Sequence, residues 1–367
     1  MTYILGWKNY NSVFLVGDSV VTIDYPGSYS DKTYESNRPL TSFGEQQIFE
    51  KGKTISEKWL KLYDLENKVI LAISGTIEEA HEGIKHFKMY LEIQNVIDIL
   101  KAVENSFSDK DVKVLIGYMD ENVPRLISYN GKNNSRIIQH DFFEVAHSGS
   151  IGESFINQTE NFFAQIEVKG WSDEQILASI IAVTQSYGVQ EEIIRQGVGG
   201  FFSGIRINKN GVTWQPDIMF VPFSYNGEEI NSNQLAEIFG EAKRVLIQVR
   251  ESVLFSCSPF IEDIKHARRP FGNFQPPQII GSEEWYIERL AWSVKWGSEV
   301  NRNCDEHKAE YYIFYNTEKP IVGMIFDEWK KPFRISEDTI YFGEDLIALV
   351  EDLFCPQDEE FTLYIGF

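Results

Sequence analysis

Met1-Thr2-Tyr3-Ile4-Leu5-Gly6-Trp7 runs through a polar turn at Lys8-Asn9-Tyr10-Asn11-Ser12 to Leu15-Val16-Gly17-Asp18-Ser19, and the reading of this stretch decides the fold. On either side of the turn apolar residues alternate with small or polar ones. That period of two predicts two strands, the second ending at Asp18. A chain that enters a strand at once is expected to carry no signal peptide and no N-terminal tail, and it holds its second residue, a hydroxyl amino acid, in a rigid sheet. Methionine before a small residue is a usual substrate for cytosolic methionine removal. Thr2 is therefore a candidate free N-terminal threonine, with a hydroxyl nucleophile and an amine base on one residue. Met-Thr is also a common start without chemical meaning, so the rest of the chain has to decide.

The 367 residues suffice for one large domain and a smaller one, and the 24% charged residues suit a water-soluble globular protein. No apolar run approaches the ~18 residues of a membrane span. A net charge of −21 argues against nucleic acid and anionic membrane surfaces as partners. Cys257, Cys304 and Cys355 are an odd, unpaired set, which fits a reducing compartment and a cytoplasmic location. Cys304-Asp305-Glu306-His307 offers two metal ligands, but no second such pair exists, so no metal or cofactor is expected.

After Asp18 the strand is expected to continue through Asp24 and break at Pro26-Gly27, with residues 25–56 a long surface excursion open to a hairpin. Lys61 to Leu65 and Val69 to Gly75 read as strands, the second apolar on both faces. Thr76 with Glu78 and Glu79 opens a helix whose face is Ile77, Ala80, Ile84, Phe87 and Leu91. A second helix uses Val96, Ile97, Leu100 and Val103. Strands follow at Val112–Tyr118, Pro124–Tyr129 and Phe142–Ala146, and His147-Ser148-Gly149-Ser150 leads into a helix with Phe155, Phe162 and Phe163 in the core. Another helix starts at Ser172-Asp173-Glu174, and a hairpin over 201–218 turns at Asn210-Gly211.

This order of strands, two helices, strands, two helices, strands predicts an α+β protein whose first ~220 residues form a four-layer αββα sandwich. Residues 221–367 read as a smaller α+β module: a helix from Asn231-Ser232 through Val253, a Pro-rich stretch with the basic run Lys265 to Arg269, a helix bearing Trp285, Trp292 and Trp296, strands near 311–315, 321–326 and 339–342, a helix over 346–353 and a last strand. There are no internal repeats.

A threonine nucleophile needs a base for its proton, an ammonium to raise the local positive potential, a carboxylate to fix that ammonium, and a backbone N–H for the oxyanion. Thr2, the α-amine, Lys61, Asp18 and Gly75 are candidates for these roles, with Ser148 able to hydrogen-bond the amine. The segments Thr2 to Gly6, Gly17-Asp18-Ser19, Lys61-Leu62, Ala72-Ile73-Ser74-Gly75-Thr76 and Ser148-Gly149-Ser150 resemble the proteasome β-subunit family of N-terminal nucleophile (Ntn) hydrolases, in spacing as well as in letters.

The resemblance covers about residues 2–220. It implies Thr2, Asp18, Lys61, Gly75 and Ser148 as the catalytic set, with Val21, Thr22 and Ile73 as walls of an apolar substrate pocket. It also implies a homo-oligomeric ring acting on peptide or unfolded protein, with a possible ATPase or regulatory partner. The chain departs from the family where Arg195 and Val198 replace an aspartate and a serine that usually steady the amine, and where the segment after Asp18 is longer. Two other readings stay open: a catalytically inactive proteasome-like scaffold or binding protein, and a small-amide Ntn amidohydrolase. Gly197-Val198-Gly199-Gly200 is not a phosphate loop, because no strand, glycine-rich turn and Lys-Ser/Thr pattern surrounds it.

Overall fold

The computed structural model describes residues 2–24, 53–57, 59–93, 98–133, 136–166, 171–190, 193–200, 202–215, 218–223, 245–249, 252–256, 311–316, 321–326, 333–336, 339–342 and 362–366. They fall in two compact units, one of residues 1–28, 48–181 and 193–215, the other of 29–47, 182–192 and 216–367.

In the first unit β1 (Tyr3–Lys8) and β2 (Ser12–Asp18) form the antiparallel hairpin expected from the alternation, closed by Asn9, whose Oδ1 accepts from the N–H of Asn11 and Ser12. β3 (Val20–Asp24) pairs with β4 (Lys53–Glu57). Then come β5 (Leu62–Leu65), β6 (Val69–Gly75), α1 (Ile77–Ile93), α2 (Ile99–Phe107), β7 (Val112–Asp120), β8 (Val123–Asn130), β9 (Ile138–Gln139), β10 (Ala146–Gly149) and α3 (Glu153–Ile166). α4 (Asp173–Gln190), which belongs to this unit as far as Ile181, β11 (Phe202–Asn208) and β12 (Gly211–Trp214) follow. Two five-stranded antiparallel sheets result, in the orders β10-β1-β2-β11-β12 and β5-β6-β7-β8-β9.

Period-two alternation gives β1 and β2 an apolar residue on each face, and both faces are covered. Ile4, Val13, Leu15 and Ile205 pack against Leu62, Ile70, Ala72, Leu115 and Leu126 of the other sheet. On the opposite face Tyr3 meets Phe155 and Trp7 meets Phe163, both from α3. The outer face of the second sheet, including Leu71, Ile73, Val114 and Ile116, packs against Ala80, Ile84, Phe87 and Leu91 of α1 and Val103 and Phe107 of α2. The order of layers is therefore helix, sheet, sheet, helix.

α4 approaches the first sheet where Gly204 leaves room. A Cβ there would stand 2.7 Å from the methyl ends of Leu177 and Ile181. Those ends are flexible, so Gly204→Ala is expected to cost about 1–3 kcal/mol of stability by overpacking, read by urea unfolding. Ser172 and Gln175 close the N-terminus of α4 as a capping box, each side chain accepting from the other's backbone N–H at 3.3 and 2.9 Å.

The second unit contains β13 (Ile218–Phe223), β14 (Val245–Val249), β15 (Ser252–Ser256), β16 (Tyr311–Asn316), β17 (Ile321–Phe326) and β20 (Thr362–Gly366), with β18 (Phe333–Ser336) and β19 (Thr339–Phe342) as a separate hairpin. Its six-stranded sheet has the order β15-β14-β13-β16-β17-β20, and is parallel at β13/β16 and β17/β20.

Several expectations are corrected. The strand after Asp18 does not run on unbroken: Ser19 interrupts it, and β3 leaves the first sheet to pair with β4, so 53–56 is strand, in keeping with a hairpin in that segment. Phe142–Ala146 is not a strand. Phe143 turns the chain with φ 66°, its N–H bonded to the Lys8 carbonyl, and the strand is Ala146–Gly149, the stretch expected to open a helix. The second helix begins after Asp98, whose carboxylate accepts from Lys101 N at 3.2 Å. The hairpin strand expected to reach Ile218 ends at Trp214, and Ile218 belongs to β13. Leu246, Val249 and Val253 lie on the β14/β15 hairpin, because the branched runs 245–249 and 252–256 favour strands over a helix. Residues 25–52, the start of that expected helix, the Pro-rich stretch with its basic run, the Trp helix, the helix over 346–353 and the three cysteines lie outside the described residues.

Candidate active site

Asp18 ends β2 next to the start of β1, and four donors converge on its carboxylate. Tyr3 N donates to Oδ1 at 2.8 Å, Thr2 Oγ1 at 3.2 Å, and Lys61 Nζ also bonds Oδ1, while Gly199 N donates to Oδ2 at 3.1 Å. Lys61 immediately precedes β5 and is held from behind, its carbonyl accepting from Ile73 N of β6 at 3.0 Å. Its ammonium makes a second bond, 2.7 Å to the carbonyl of Val20. Both side chains of the Lys61–Asp18 pair are 0% exposed. Burial pushes the Lys61 amine below its usual range, and the Asp18 carboxylate pulls against that shift. A pair taken this far out of water persists only because further hydrogen bonds satisfy its remaining atoms.

Thr2 is buried, and its carbonyl accepts from Ser150 N at 3.0 Å just beyond β10. That close approach requires Gly149, opposite Tyr3 in register: its φ is 133°, and a Cβ there would lie 1.9 Å from the Thr2 oxygen. Ser148 stands opposite Ile4, half-buried, with no hydrogen bond to the Asp18 cluster. Gly75 ends β6, exposed, with φ 126°, and a Cβ there would meet the Asp111 carbonyl at 2.1 Å.

Val21 and Ile73 lie in one apolar cluster with Trp59. Thr22 is half-buried, and its Oγ1 lacks a hydrogen-bond partner among the described residues. Thr2, Asp18 and Lys61 are thus joined directly, and Gly75 sits two residues beyond the Ile73 that holds Lys61. Val198 is fully buried, whereas the side chain of Arg195 lies outside the described residues.

Two supports for Asp18 escape the sequence pattern. One is the Tyr3 amide. The other is Gly199, in a turn where Gly199 and Gly200 take φ of 129° and 71°. The adjacent glycines are the signal that a backbone turns sharply there. A third feature is the Tyr3 phenol, which lies 2.7 Å from Nδ1 of His147. Burial drives the phenol well above its usual range and pushes His147 down from 6.5 to about 4.

The unfolded imidazole binds a proton near 6.5 and the folded one only near 4, so stability falls as pH drops through that window. Between pH 6.5 and about 4.5 the parent is expected to lose on the order of 1–2 kcal/mol more than His147→Asn, measured by urea unfolding at the two pH values.

Among the described residues no group of His, Cys, Asp and Glu is placed to hold a metal ion, and no helix is long and apolar enough to cross a membrane. No protein-family model matches this chain, and no curated protein matches it in sequence. Among solved structures it is similar to eukaryotic HslV from Trypanosoma brucei, at 13% identity and TM-score 0.37 over 56% of this chain and 99% of that one. It is also similar to a Gly-1 mutant of Anbu from Hyphomicrobium sp. strain MC1, at 10% identity and TM-score 0.40 over 59% of this chain and 85% of that one. Likenesses this distant assign no activity.

Proposed function

We propose that the chain is a proteasome-like threonine peptidase of the Ntn-hydrolase kind, in which Thr2 becomes the N-terminal nucleophile after Met1 is removed. The observation that carries this reading is the meeting of the Thr2 hydroxyl, the Asp18 carboxylate and the buried Lys61 ammonium in one place.

In the proposed reaction the freed α-amine takes the proton of the Thr2 hydroxyl as Oγ1 attacks the peptide carbonyl. The Gly75 N–H and the positive potential of Lys61 stabilise the oxyanion. The amine returns the proton to the leaving nitrogen, then activates the water that releases the acyl group. Asp18 keeps Lys61 in place throughout. Val21, Thr22 and Ile73 border the substrate side chain, and Ser148 bonds the amine once Met1 is gone. The substrate is a peptide or unfolded protein segment laid along strand edges. The proposed setting is a cytoplasmic homo-oligomeric ring with an ATPase or regulatory partner, and light scattering that gave a monomer of about 42.4 kDa would count against the ring.

The test is intact mass and N-terminal sequencing of the purified protein, followed by exposure to a peptide epoxyketone. Loss of Met1 and an adduct on Thr2 are expected, and a retained Met1 would defeat the mechanism. The fully buried Val198, standing where the family has a serine beside the amine, favours a second reading as an inactive scaffold. That reading requires no adduct and no hydrolysis. Turnover of small amides but not peptides would instead identify an amidohydrolase.

A further inference from the structure

We infer that His147 is a positioning residue for Thr2, gripping the strand end that carries the nucleophile through the phenol of Tyr3. The inference rests on the peptidase reading. Tyr3 is bound on two sides at once. Its amide donates to Asp18 at 2.8 Å, and its ring is fully buried against Phe155 and Phe202, with the hydroxyl 2.7 Å from His147 Nδ1. Three residues within the four from His147 to Ser150 hold the same segment: His147 takes the Tyr3 side chain, Gly149 lies opposite Tyr3, and Ser150 N holds the Thr2 carbonyl. The Thr2 side chain itself is held through its hydroxyl on Asp18, a bond that has to be released for chemistry.

With the phenol protonated, it either donates to a bare Nδ1 or accepts from Nδ1–H. Nε2 is buried without a hydrogen-bond partner among the described residues. The ionisable groups facing this pair are Glu160 of α3, whose Oε1 is 3.8 Å from Nε2, and Asp18, which acts on the phenol through space. A protonated imidazole would donate from Nδ1 to the phenol oxygen, reversing the bond without breaking it, while Glu160 would attract Nε2–H. The contact therefore holds Tyr3 whichever partner donates, and burial keeps the imidazole neutral.

Hydrogen exchange of the Tyr3 amide in the full chain reads this grip without any need for activity. His147→Leu and Tyr3→Phe are each expected to speed exchange roughly 10-fold at pH 7. His147→Asn, whose side-chain oxygen can stand where Nδ1 stood, should remain within about 3-fold of the parent. Peptide hydrolysis reads the consequence. The leucine variant should lose roughly 5-fold or more in kcat with KM nearly unchanged, the asparagine variant should keep most of its rate, and the double variant should lose no more than either single one.

Parental exchange rates in both His147→Leu and Tyr3→Phe overturn the inference, as does an asparagine variant no better than the leucine one. If His147→Leu does not fold, Tyr3→Phe carries the comparison alone. Faster exchange in a protein that hydrolyses no peptide supports the grip and overturns the peptidase reading instead.

Discussion

Thr2→Ala is expected to lower the turnover of fluorogenic peptides by roughly 10³-fold or more while the sandwich stays folded. The two halves of this expectation have different physical origins. Removing a nucleophile removes the covalent route altogether, which is why such losses run to several orders of magnitude. The structural cost is small because the hydroxyl is only one of four donors on Asp18, and at 3.2 Å the side-chain donor farthest from it. Losing it should cost about 1 kcal/mol, or a Tm shift of about 2–4 °C in a domain of this size. Thr2→Ser keeps a hydroxyl and should retain a measurable share of the rate. An alanine variant as active as the parent would show that Thr2 is not the nucleophile, and a folded parent with no activity to lose would point to the scaffold.

The part of the site that was legible in the sequence is the part made by strand ends. Thr2, Asp18 and Lys61 each stand where an apolar alternation begins or ends, and a hairpin with a short turn leaves little freedom in where those ends meet. The helices α1, α3 and α4 were legible because their apolar faces repeat every three to four residues and their first turns carry acids or a capping box. What was not legible depended on contacts distant in sequence. Tyr3 and His147 are separated by 144 positions, and only the pairing of β10 with β1 brings them together. The same pairing turned Ala146–Gly149, small and polar by composition, into a strand. Leu246, Val249 and Val253 fit a helical period by coincidence, and the branched residues between them were the better guide. Gly199 follows the departure at Val198 and was given no role, yet its backbone N–H, which carries no side-chain signature, is one of the bonds holding Asp18.

Lys61→Met is expected to destabilise the first unit by about 3 kcal/mol, seen as a lower urea midpoint with little change in slope. Methionine copies the unbranched stem of lysine, so packing is largely kept and the change isolates the charge. Asp18 is then left 0% exposed without its counter-ion. Removing one partner of a buried pair typically costs 3–5 kcal/mol, because the remaining charge cannot return to water. The lower end applies here, since Thr2 Oγ1, Tyr3 N and Gly199 N still donate to the carboxylate. Adding Asp18→Asn to Lys61→Met removes the orphaned charge but gives Gly199 N a possible NH₂ neighbour, so only about 1–2 kcal/mol should return. That partial recovery separates a charge effect from a packing effect, which the second substitution would leave untouched. A Lys61→Met variant within about 1 kcal/mol of the parent would mean that water reaches Asp18 once the ammonium is gone. The three donors would then be enough by themselves, and the role of Lys61 would lie in the potential it sets at Thr2 and not in holding the fold.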